Sequence, residues 1–500
     1  MNRIVNNIHR RWLLLIAALN AALCWRGLIS NQWMLSKQGM DGYEYIYHAF
    51  AFVRESLARG ELPVWNPYVF CGTPVLEAFQ YCAQYPVRWL FAPLPVTLTV
   101  NWMLYAHLCL AGAAMYGWVW YRVRSGLGAF AAGAVFMWCG PLLARVTSGH
   151  FVLAYGMAWI PLVFWGIDGW QRERRARWIT LAAGGAAMQL YAGAPQYFYF
   201  TALLAGLYSL WSLTMRDGKI KTAAGLLAIY PLAAAVLVPG WLTAREALRA
   251  GGVPAEWAAT ASLQFKDLLL TVAPNFYGGI GDWSFWDNEH LHEMWVYSGL
   301  GGLLLAGVGL AKISAREKVR LGFLLTVTLV LALGAYTPLF GLMREYVPLY
   351  AGFRSHGRWT VYFSLFVALL AGVGVGKIVS GEKIPRSLTW SFIGLGAMML
   401  LTGLLLHSDS LNDWYRDLAD WLTFKPLFRQ NLPLTGQRLL AQIQSAEALT
   451  WSGLVALTLG LTAQFGNYGL TGLRAYGLTG LRAYGLTGLR AYGLTGLRAY

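Results

Sequence analysis

Long runs of apolar residues, separated by shorter polar segments, recur along most of the chain. Allowing for tilt and breaks, twelve of these runs are long enough for a helix to cross about 30 Å of hydrocarbon. They lie near 12–29, 98–121, 126–144, 150–167, 178–192, 196–214, 222–239, 295–311, 321–337, 359–376, 388–406 and 448–464. The pattern predicts an all-α fold, a polytopic transmembrane helical bundle of about 12 spans.

The composition supports this fold class and indicates which kind of binding partner to expect. Hydrophobic residues make up 57% of the chain and charged residues only 12%, about half the share typical of a soluble protein. The formal net charge of +16 would suggest nucleic acid in a soluble protein. Because no basic cluster with interleaved aromatics lies in a predicted soluble domain, we expect no nucleic-acid partner and a lipid bilayer instead.

Lys and Arg residues are distributed unevenly between alternate loops. The short segments on the side of the N-terminus hold 19 of them in 52 residues, whereas the longer loops opposite hold 15 in about 190. Because basic residues beside short loops are retained in the cytoplasm, the N-terminus is predicted to be cytoplasmic. The first run follows Arg10 and Arg11 but lacks a good cleavage site, so it is interpreted as an uncleaved anchor.

Loop lengths predict a polytopic membrane domain over 1–464 and a tail over 465–500. Three long outer loops are expected to carry the function, since long loops on a rigid scaffold usually do. They are 30–97, 240–294 and 407–447. The tail contains the octapeptide YGLTGLRA four times from Tyr468. Eight residues are too few to bury a face by stacking, so we expect a poorly ordered tail.

The first outer loop begins with candidate catalytic residues. From Tyr43 to Arg59 apolar residues recur with helical spacing, which predicts an amphipathic helix along the outer interface, ending at Gly60. Asp41 precedes this helix, and Glu44 follows three positions later. As a helix N-cap, Asp41 would accept backbone N–H bonds. Facing a cavity at the membrane surface, it could also act as a general base on an acceptor hydroxyl.

Further polar residues lie at the predicted outer ends of other spans. His150 is the last residue of the short turn RVTSGH and could reach the same cavity at the membrane surface as Asp41. Glu246 and Glu293 belong to the second long loop. In that loop, His292 belongs to a His-x-His pair with nearby carboxylates, which could hold a divalent metal ion. The spacing is a weak signal, so no resident metal is predicted and a divalent metal stays an alternative.

A basic segment before the tenth span runs against the positive-inside trend. YAGFRSHGRW places Arg354, His356 and Arg358 within five residues at the outer interface. Guanidinium groups facing a cavity are suited to bidentate binding of a phosphate or pyrophosphate on a lipid-linked donor. The alternative is that they only contact lipid phosphates.

Four segments carry a resemblance to a known family. They are GELPVWNPYVFCGTPVLEAFQYCAQYP, LYAGAPQYFYF at 190–200, LQFKDLLLTVAPNFYGG followed by EMWVYSGL, and YAGFRSHGRW. Through these segments, over about residues 10–380, the chain resembles the YfhO family of bacterial membrane proteins, which is related to the GT-C class of polyprenyl-phosphate-dependent glycosyltransferases.

The resemblance implies a GT-C-like bundle with its active site at the outer face, under the first long loop. In that class an acidic residue early in the loop acts as catalytic base, and Asp41 matches its position. The chain departs from the class in that Gly42 follows, so Glu44 would have to supply a second carboxylate. The implied location is the bacterial inner membrane.

We therefore expect a membrane glycosyltransferase, inverting or retaining, that transfers a sugar from a polyprenyl-phosphate donor to a cell-envelope acceptor on the outer face. Asp41 would be catalytic. The expected substrate-binding residues are Glu44, His150, Glu246, Glu293, Arg354, His356 and Arg358. A transporter or lipid flippase is an alternative, although transporters usually show matching halves and acids deep within spans. A non-catalytic envelope assembly protein is a second alternative.

Overall fold

The fold is known from a computed structural model, which describes residues 2–36, 39–75, 79–213, 219–235, 253–277, 291–408 and 434–473. The α-helices in these ranges are α1 (Asn2–Ile29), α2 (Tyr47–Ala58), α3 (Pro86–Phe91), α4 (Val96–Val123), α5 (Gly126–Met137), α6 (Gly140–Thr147), α7 (Phe151–Ala158), α8 (Ile160–Glu173), α9 (Ala176–Tyr191), α10 (Pro195–Leu213), α11 (Lys219–Ala235), α12 (Ala255–Ala259), α13 (Leu291–Met294), α14 (Leu300–Lys312), α15 (Ala315–Ala332), α16 (Leu339–Tyr346), α17 (Thr360–Val379), α18 (Arg386–His407) and α19 (Leu434–Leu473). The 3-10 turns are Phe79–Tyr81, Phe265–Thr271, Gly334–Tyr336, Tyr350–Gly352 and His356–Trp359, and a π-helical turn spans Gly42–Ile46.

The predicted fold class is confirmed: the chain is a helical membrane protein. Each of the twelve apolar runs overlaps a helix. Six helices in the described part of the chain are long and apolar enough to cross a membrane, or seven if α5 and α6, bent by 41°, form one span. The predicted count of about 12 spans is not confirmed, because helices such as α9 and α14 have only 16 and 13 residues.

Helix α17 lies at the centre of the bundle and is buried on almost every side. It carries no charged residue before Lys377, as expected of a helix without a solvent-facing stripe. Its neighbours are α5, α14 and α15. The peripheral helices α18 and α19 pack mainly against each other.

Two glycines allow α14 and α17 to cross at close range. A Cβ added at Gly374 would lie 2.2 Å from the Leu305 carbonyl oxygen, and one added at Gly309 would lie 2.0 Å from the Leu370 carbonyl oxygen. Small residues at such crossings let two backbones approach in a membrane. The crossing is therefore closed to any larger side chain.

Replacing Gly374 by Ala should force these two helices apart. We expect a loss of about 1–3 kcal/mol in the free energy of unfolding, as for other overpacked cores, measured as a fall in Tm in detergent. Gly307 is the matched control on α14, because a Cβ there would meet only a Leu388 methyl group at 4.0 Å. Equal Tm changes for Gly374→Ala and Gly307→Ala would contradict the close crossing.

The first outer loop contains the predicted helix, in two parts. The π-helical turn passes directly into α2, which buries Phe50 and Val53 and is followed by Gly60 at φ +75. A short antiparallel hairpin follows, in which β1 (Trp65–Asn66) pairs with β2 (Thr73–Pro74). The Asn66 side chain donates a 3.0 Å hydrogen bond to the Tyr81 hydroxyl. The proline-rich segment is thus an ordered layer packed on α2.

The C-terminal part of the chain differs from the prediction. Helix α19 begins at Leu434, inside the loop predicted over 407–447, and continues to Leu473, beyond the tail boundary predicted at 465. The sequence contains no proline between Pro433 and Leu473 and therefore lacks the residue that most strongly ends a helix. The remaining repeats, at 474–500, lie outside the described residues.

Candidate functional site

Polar side chains from five separate segments meet at one end of the bundle. The segments are the turn before α2, the end of α6 with the turn that follows it, the start of α10, α13, and residues 354–359, which lead into α17. All five lie in or beside loops that the Lys and Arg distribution placed on one side of the membrane. The side chains that meet there are Asp41, Arg145, His150, Gln196, Glu293, Arg354 and Arg358.

Two glycines bring the backbones of Asp41 and His150 together. Gly149 has φ +71, a left-handed conformation that favours glycine. A Cβ added there would lie 2.0 Å from the Gly42 backbone nitrogen. Each glycine directly neighbours one of the two functional residues, so this close approach places their side chains within reach of each other.

Asp41 and His150 form the exposed end of the cluster. The His150 Nε2 atom lies 3.1 Å from Asp41 Oδ2, and the Asp41 side chain is 64% exposed. The hydrogen bond from His150 is the main cause that lowers the pKa of Asp41; partial burial opposes it, and the electrostatic effects of His150, His292 and Arg354 assist it. Asp41 makes no side-chain cap bond to the helix, so the N-cap alternative is not observed.

Glu293 joins two arginines at the buried end of the cluster. Arg145 Nη2 donates to Glu293 Oε2 at 2.5 Å, and Arg358 donates to both carboxylate oxygens at 2.8 and 2.7 Å. Burial alone would raise the pKa of Glu293, but the two guanidinium charges and their hydrogen bonds outweigh it and hold the pKa well below its usual range. Arg145 also contacts His150, with Nη1 and Nδ1 3.0 Å apart.

Gln196 connects this ion network to the backbone beside Arg354. Its Oε1 accepts a hydrogen bond from Arg358 Nη1, and its Nε2 donates to the Arg354 carbonyl oxygen, both at 2.5 Å. Gln196 is the second residue of α10, which begins at Pro195, a position that favours proline in a helix. The amide therefore fixes the Arg354 backbone relative to a rigid helix.

Arg354 is the one guanidinium of the cluster that pairs with no carboxylate in the described part of the chain. It lies exposed over the ring of Trp257, 4.5 Å from the ring centroid. Burial and the charge of Arg358 lower the pKa of Arg354, while Glu293 and Asp41 raise it. The three guanidinium groups outnumber the two carboxylates among the described side chains of the cluster, and this excess of positive charge favours an anionic ligand.

His150, His292 and Glu293 could together hold a metal ion, since their ligand atoms lie within 4.8 Å of one another. The donor set fits poorly. Both Glu293 oxygens already accept hydrogen bonds from guanidinium groups, and a divalent cation there would have to replace those bonds beside two positive charges. The network explains these residues without a metal.

The structure does not bring the other three predicted substrate-binding residues into the cluster among the residues it describes. Glu44 is exposed and takes part in no ion pair among the described residues. Glu246 lies outside the described residues. The prediction that His356 contacts substrate is not supported, because its side chain is fully buried, with its ring centroid 4.9 Å from that of Phe340 and 5.0 Å from that of Tyr350.

Arg145 and Gln196 were not predicted as site residues. Each had a signal in the sequence: Arg145 is a lone charge after an apolar stretch, and Gln196 lies in the segment LYAGAPQYFYF. A buried arginine next to the membrane needs an acid partner, but the sequence does not say which acid.

Comparison with known proteins gives no family assignment. No protein-family model matches the chain, and no curated protein matches it, so the resemblance to the YfhO family is not confirmed. One solved structure with partial similarity is the arabinofuranosyltransferase AftD from mycobacteria, with a TM-score of 0.43 and 14% identity over 75% of this chain and 28% of that chain. The chain thus spans little more than a quarter of AftD's length, and a likeness this weak defines neither fold family nor function.

Proposed function

We propose that the protein is a membrane glycosyltransferase of the GT-C type, which transfers a sugar from a polyprenyl-phosphate donor to a cell-envelope acceptor on the outer face. One observation carries the proposal: an exposed, ionised carboxylate, Asp41, shares a charge cluster with an exposed guanidinium, Arg354, that pairs with no carboxylate among the described residues. Sugar transfer from a phosphate carrier needs a base for the acceptor and a cation for the leaving group.

Asp41 supplies the base. Its Oδ2 is held by His150, and the exposed carboxylate is open to an acceptor hydroxyl. The carboxylate takes the hydroxyl proton as the acceptor oxygen bonds to the anomeric carbon. The bond between that carbon and the phosphate oxygen breaks, and the leaving phosphate keeps the electron pair. Direct displacement of this kind inverts the anomeric configuration.

Arg354 binds the leaving phosphate. Arg358 was expected to share this role, but Glu293 and Gln196 already engage its Nε, Nη1 and Nη2 atoms. In this proposal Arg358 positions Arg354 through Gln196, and Trp257 supports the Arg354 guanidinium from one side. A preorganised cation stabilises the charge that develops on the phosphate without reorganisation during the reaction.

Arg354→Gln is expected to weaken donor binding. Loss of a hydrogen bond to a charged group costs about 1.5–3 kcal/mol, so the KM for the polyprenyl-phosphate sugar should rise by about 10- to 150-fold. Arg59→Gln is the control, since Arg59 is an exposed arginine whose partner among the described residues is Glu61. A donor KM that changes equally in both variants would contradict a phosphate-binding role for Arg354.

The proposal as a whole is tested by reconstitution. The purified chain in liposomes is given a panel of polyprenyl-phosphate hexoses and pentoses with a cell-envelope acceptor extract, and sugar transfer to the acceptor is measured. Transfer with release of polyprenyl phosphate supports the proposal. Donors that stay intact, or that cross the bilayer unchanged as they would with a flippase, would overturn it.

A further inference from the structure

We propose that Arg145 fixes the tautomer of His150, so that the imidazole serves Asp41 only as a hydrogen-bond donor and never as a proton acceptor. Arg145 and His150 are then positioning residues, and Asp41 alone handles the acceptor's proton. The role of this arrangement in catalysis rests on the proposed glycosyltransferase function. The assignment of the His150 tautomer does not depend on that function.

The first step follows from the donor chemistry of arginine. Arg145 Nη1 lies 3.0 Å from His150 Nδ1. A guanidinium can only donate hydrogen bonds, so Nδ1 must accept and carries no proton. The single proton of the neutral ring is therefore on Nε2.

The second step is that a doubly protonated ring does not fit this site. A proton on Nδ1 would point at the N–H of Arg145 and would place two cations in direct contact. Arg145 cannot turn away easily, because it is 1% exposed and its Nη2 donates to Glu293. The contact with Arg145 therefore leaves Nε2 as the ring nitrogen of His150 that carries a proton.

The third step concerns the direction of the Nε2–H bond. His150 Nε2 lies 3.1 Å from Asp41 Oδ2, so the fixed proton points at this oxygen and keeps it as an acceptor. Asp41 Oδ1 is then the oxygen available to a substrate hydroxyl. The order Glu293, Arg145, His150, Asp41 connects the buried ion network to the exposed carboxylate.

The arrangement also decides where the proton goes. When Asp41 takes the acceptor's proton, His150 cannot relay it, because Nε2 is already protonated and Nδ1 is engaged by Arg145. The proton must leave from the exposed side of Asp41 into the outer solution. His150 therefore gives no inward route for protons.

The tautomer can be measured directly by ¹⁵N NMR. The chain is labelled with ¹⁵N-histidine and reconstituted in liposomes at neutral pH, and the His150 signals are assigned by their loss in His150→Gln. His107 gives an internal reference of the opposite tautomer, because its Nδ1 lies 2.6 Å from the Met103 carbonyl oxygen and must donate to it. We expect a protonated Nε2 at His150 and a protonated Nδ1 at His107. A protonated Nδ1 at His150, alone or with Nε2, would overturn the inference.

Three substitutions test the consequence for catalysis. In His150→Gln an amide N–H takes the place of Nε2–H and can still donate to Asp41. In His150→Asn an amide oxygen can still accept from Arg145, but no donor reaches Asp41. We expect the Gln variant to be at least about tenfold more active than the Asn and Ala variants, as expected for a hydrogen bond to a charged group. His48→Gln, an exposed histidine on α2, is the control for general effects of the substitution.

The two experiments separate the inference from the function. Equal loss of activity in the Gln, Asn and Ala variants, with normal protein levels, would show that His150 exchanges protons itself and would overturn the positioning role. If no sugar transfer is found in any form of the protein, the glycosyltransferase proposal fails. The NMR measurement still decides the tautomer in that case.

Discussion

Replacing Asp41 by Asn is expected to lower kcat for sugar transfer by about 10²- to 10⁴-fold, the usual contribution of a general base. The amide has nearly the same shape but cannot accept the hydroxyl proton. Since Asp41 is exposed, the fold should tolerate the change, and the donor KM should change much less than kcat. The measurement is steady-state transfer in liposomes at saturating donor.

The matched control for Asp41→Asn is Glu55→Gln, an exposed acid on α2 in the same loop. The pH profile adds a second readout. Because the hydrogen bond from His150 lowers the pKa of Asp41, His150→Ala should raise that pKa and shift the acid limb of kcat/KM to higher pH. Full transfer by Asp41→Asn at normal protein levels would remove Asp41 from the mechanism.

Glu293→Gln is expected to lower the free energy of unfolding by about 3–5 kcal/mol, the usual cost of removing one partner of a buried ion pair. The substitution leaves the buried guanidinium groups of Arg145 and Arg358 without a negative charge. The measurement is Tm in one detergent at neutral pH. Glu61→Gln is the control, because its pair with Arg59 is exposed and should contribute only about 0–1 kcal/mol.

The cost of Glu293→Gln should depend on pH with a definite sign. The pKa of Glu293 is lowered on folding, so the folded state gains from its ionised form at every pH above the unfolded-state value of about 4.3. As the pH falls below that value toward the lowered folded-state pKa, the Tm difference between the wild type and Glu293→Gln should shrink. A difference that grows on acidification would contradict the buried ion network.

Much of the fold could be predicted from the sequence because its signals are local. Apolar runs located the helices, and a spacing of three to four residues located α2 before Gly60. The number of spans was less accurate, because several helices are shorter than a bilayer is thick. The apolar run at 448–464 covers only part of helix α19, because hydropathy marks the apolar stretch of a helix and not its more polar first turns. Pro433, directly before Leu434, was the local signal for the start of the helix.

The candidate site was predicted in part. The distribution of Lys and Arg placed Asp41, His150 and Arg354 on one side of the membrane, and the structure brings them into one cluster. Their chemical roles stay predictions. The sequence could not show that Arg358 is occupied by Glu293, because the two are 65 positions apart and no periodic pattern connects them. The position of Asp41 before a helix likewise suggested that its side chain caps that helix. In the structure the carboxylate instead contacts His150, which is more than 100 positions away in the sequence.

The wide sequence separation within the ion network has a consequence for biogenesis. Arg145 is made 148 residues before Glu293, and Arg358 follows Glu293 by another 65. During synthesis Arg145 on α6 therefore reaches the membrane long before Glu293, its negatively charged partner, has been made. During that interval Arg145 must be solvated by water or lipid head groups at the membrane surface. The bundle can close around the charge only after the second half of the chain has been inserted, so a nascent chain released before Glu293 keeps an uncompensated arginine and should be degraded as an unassembled product.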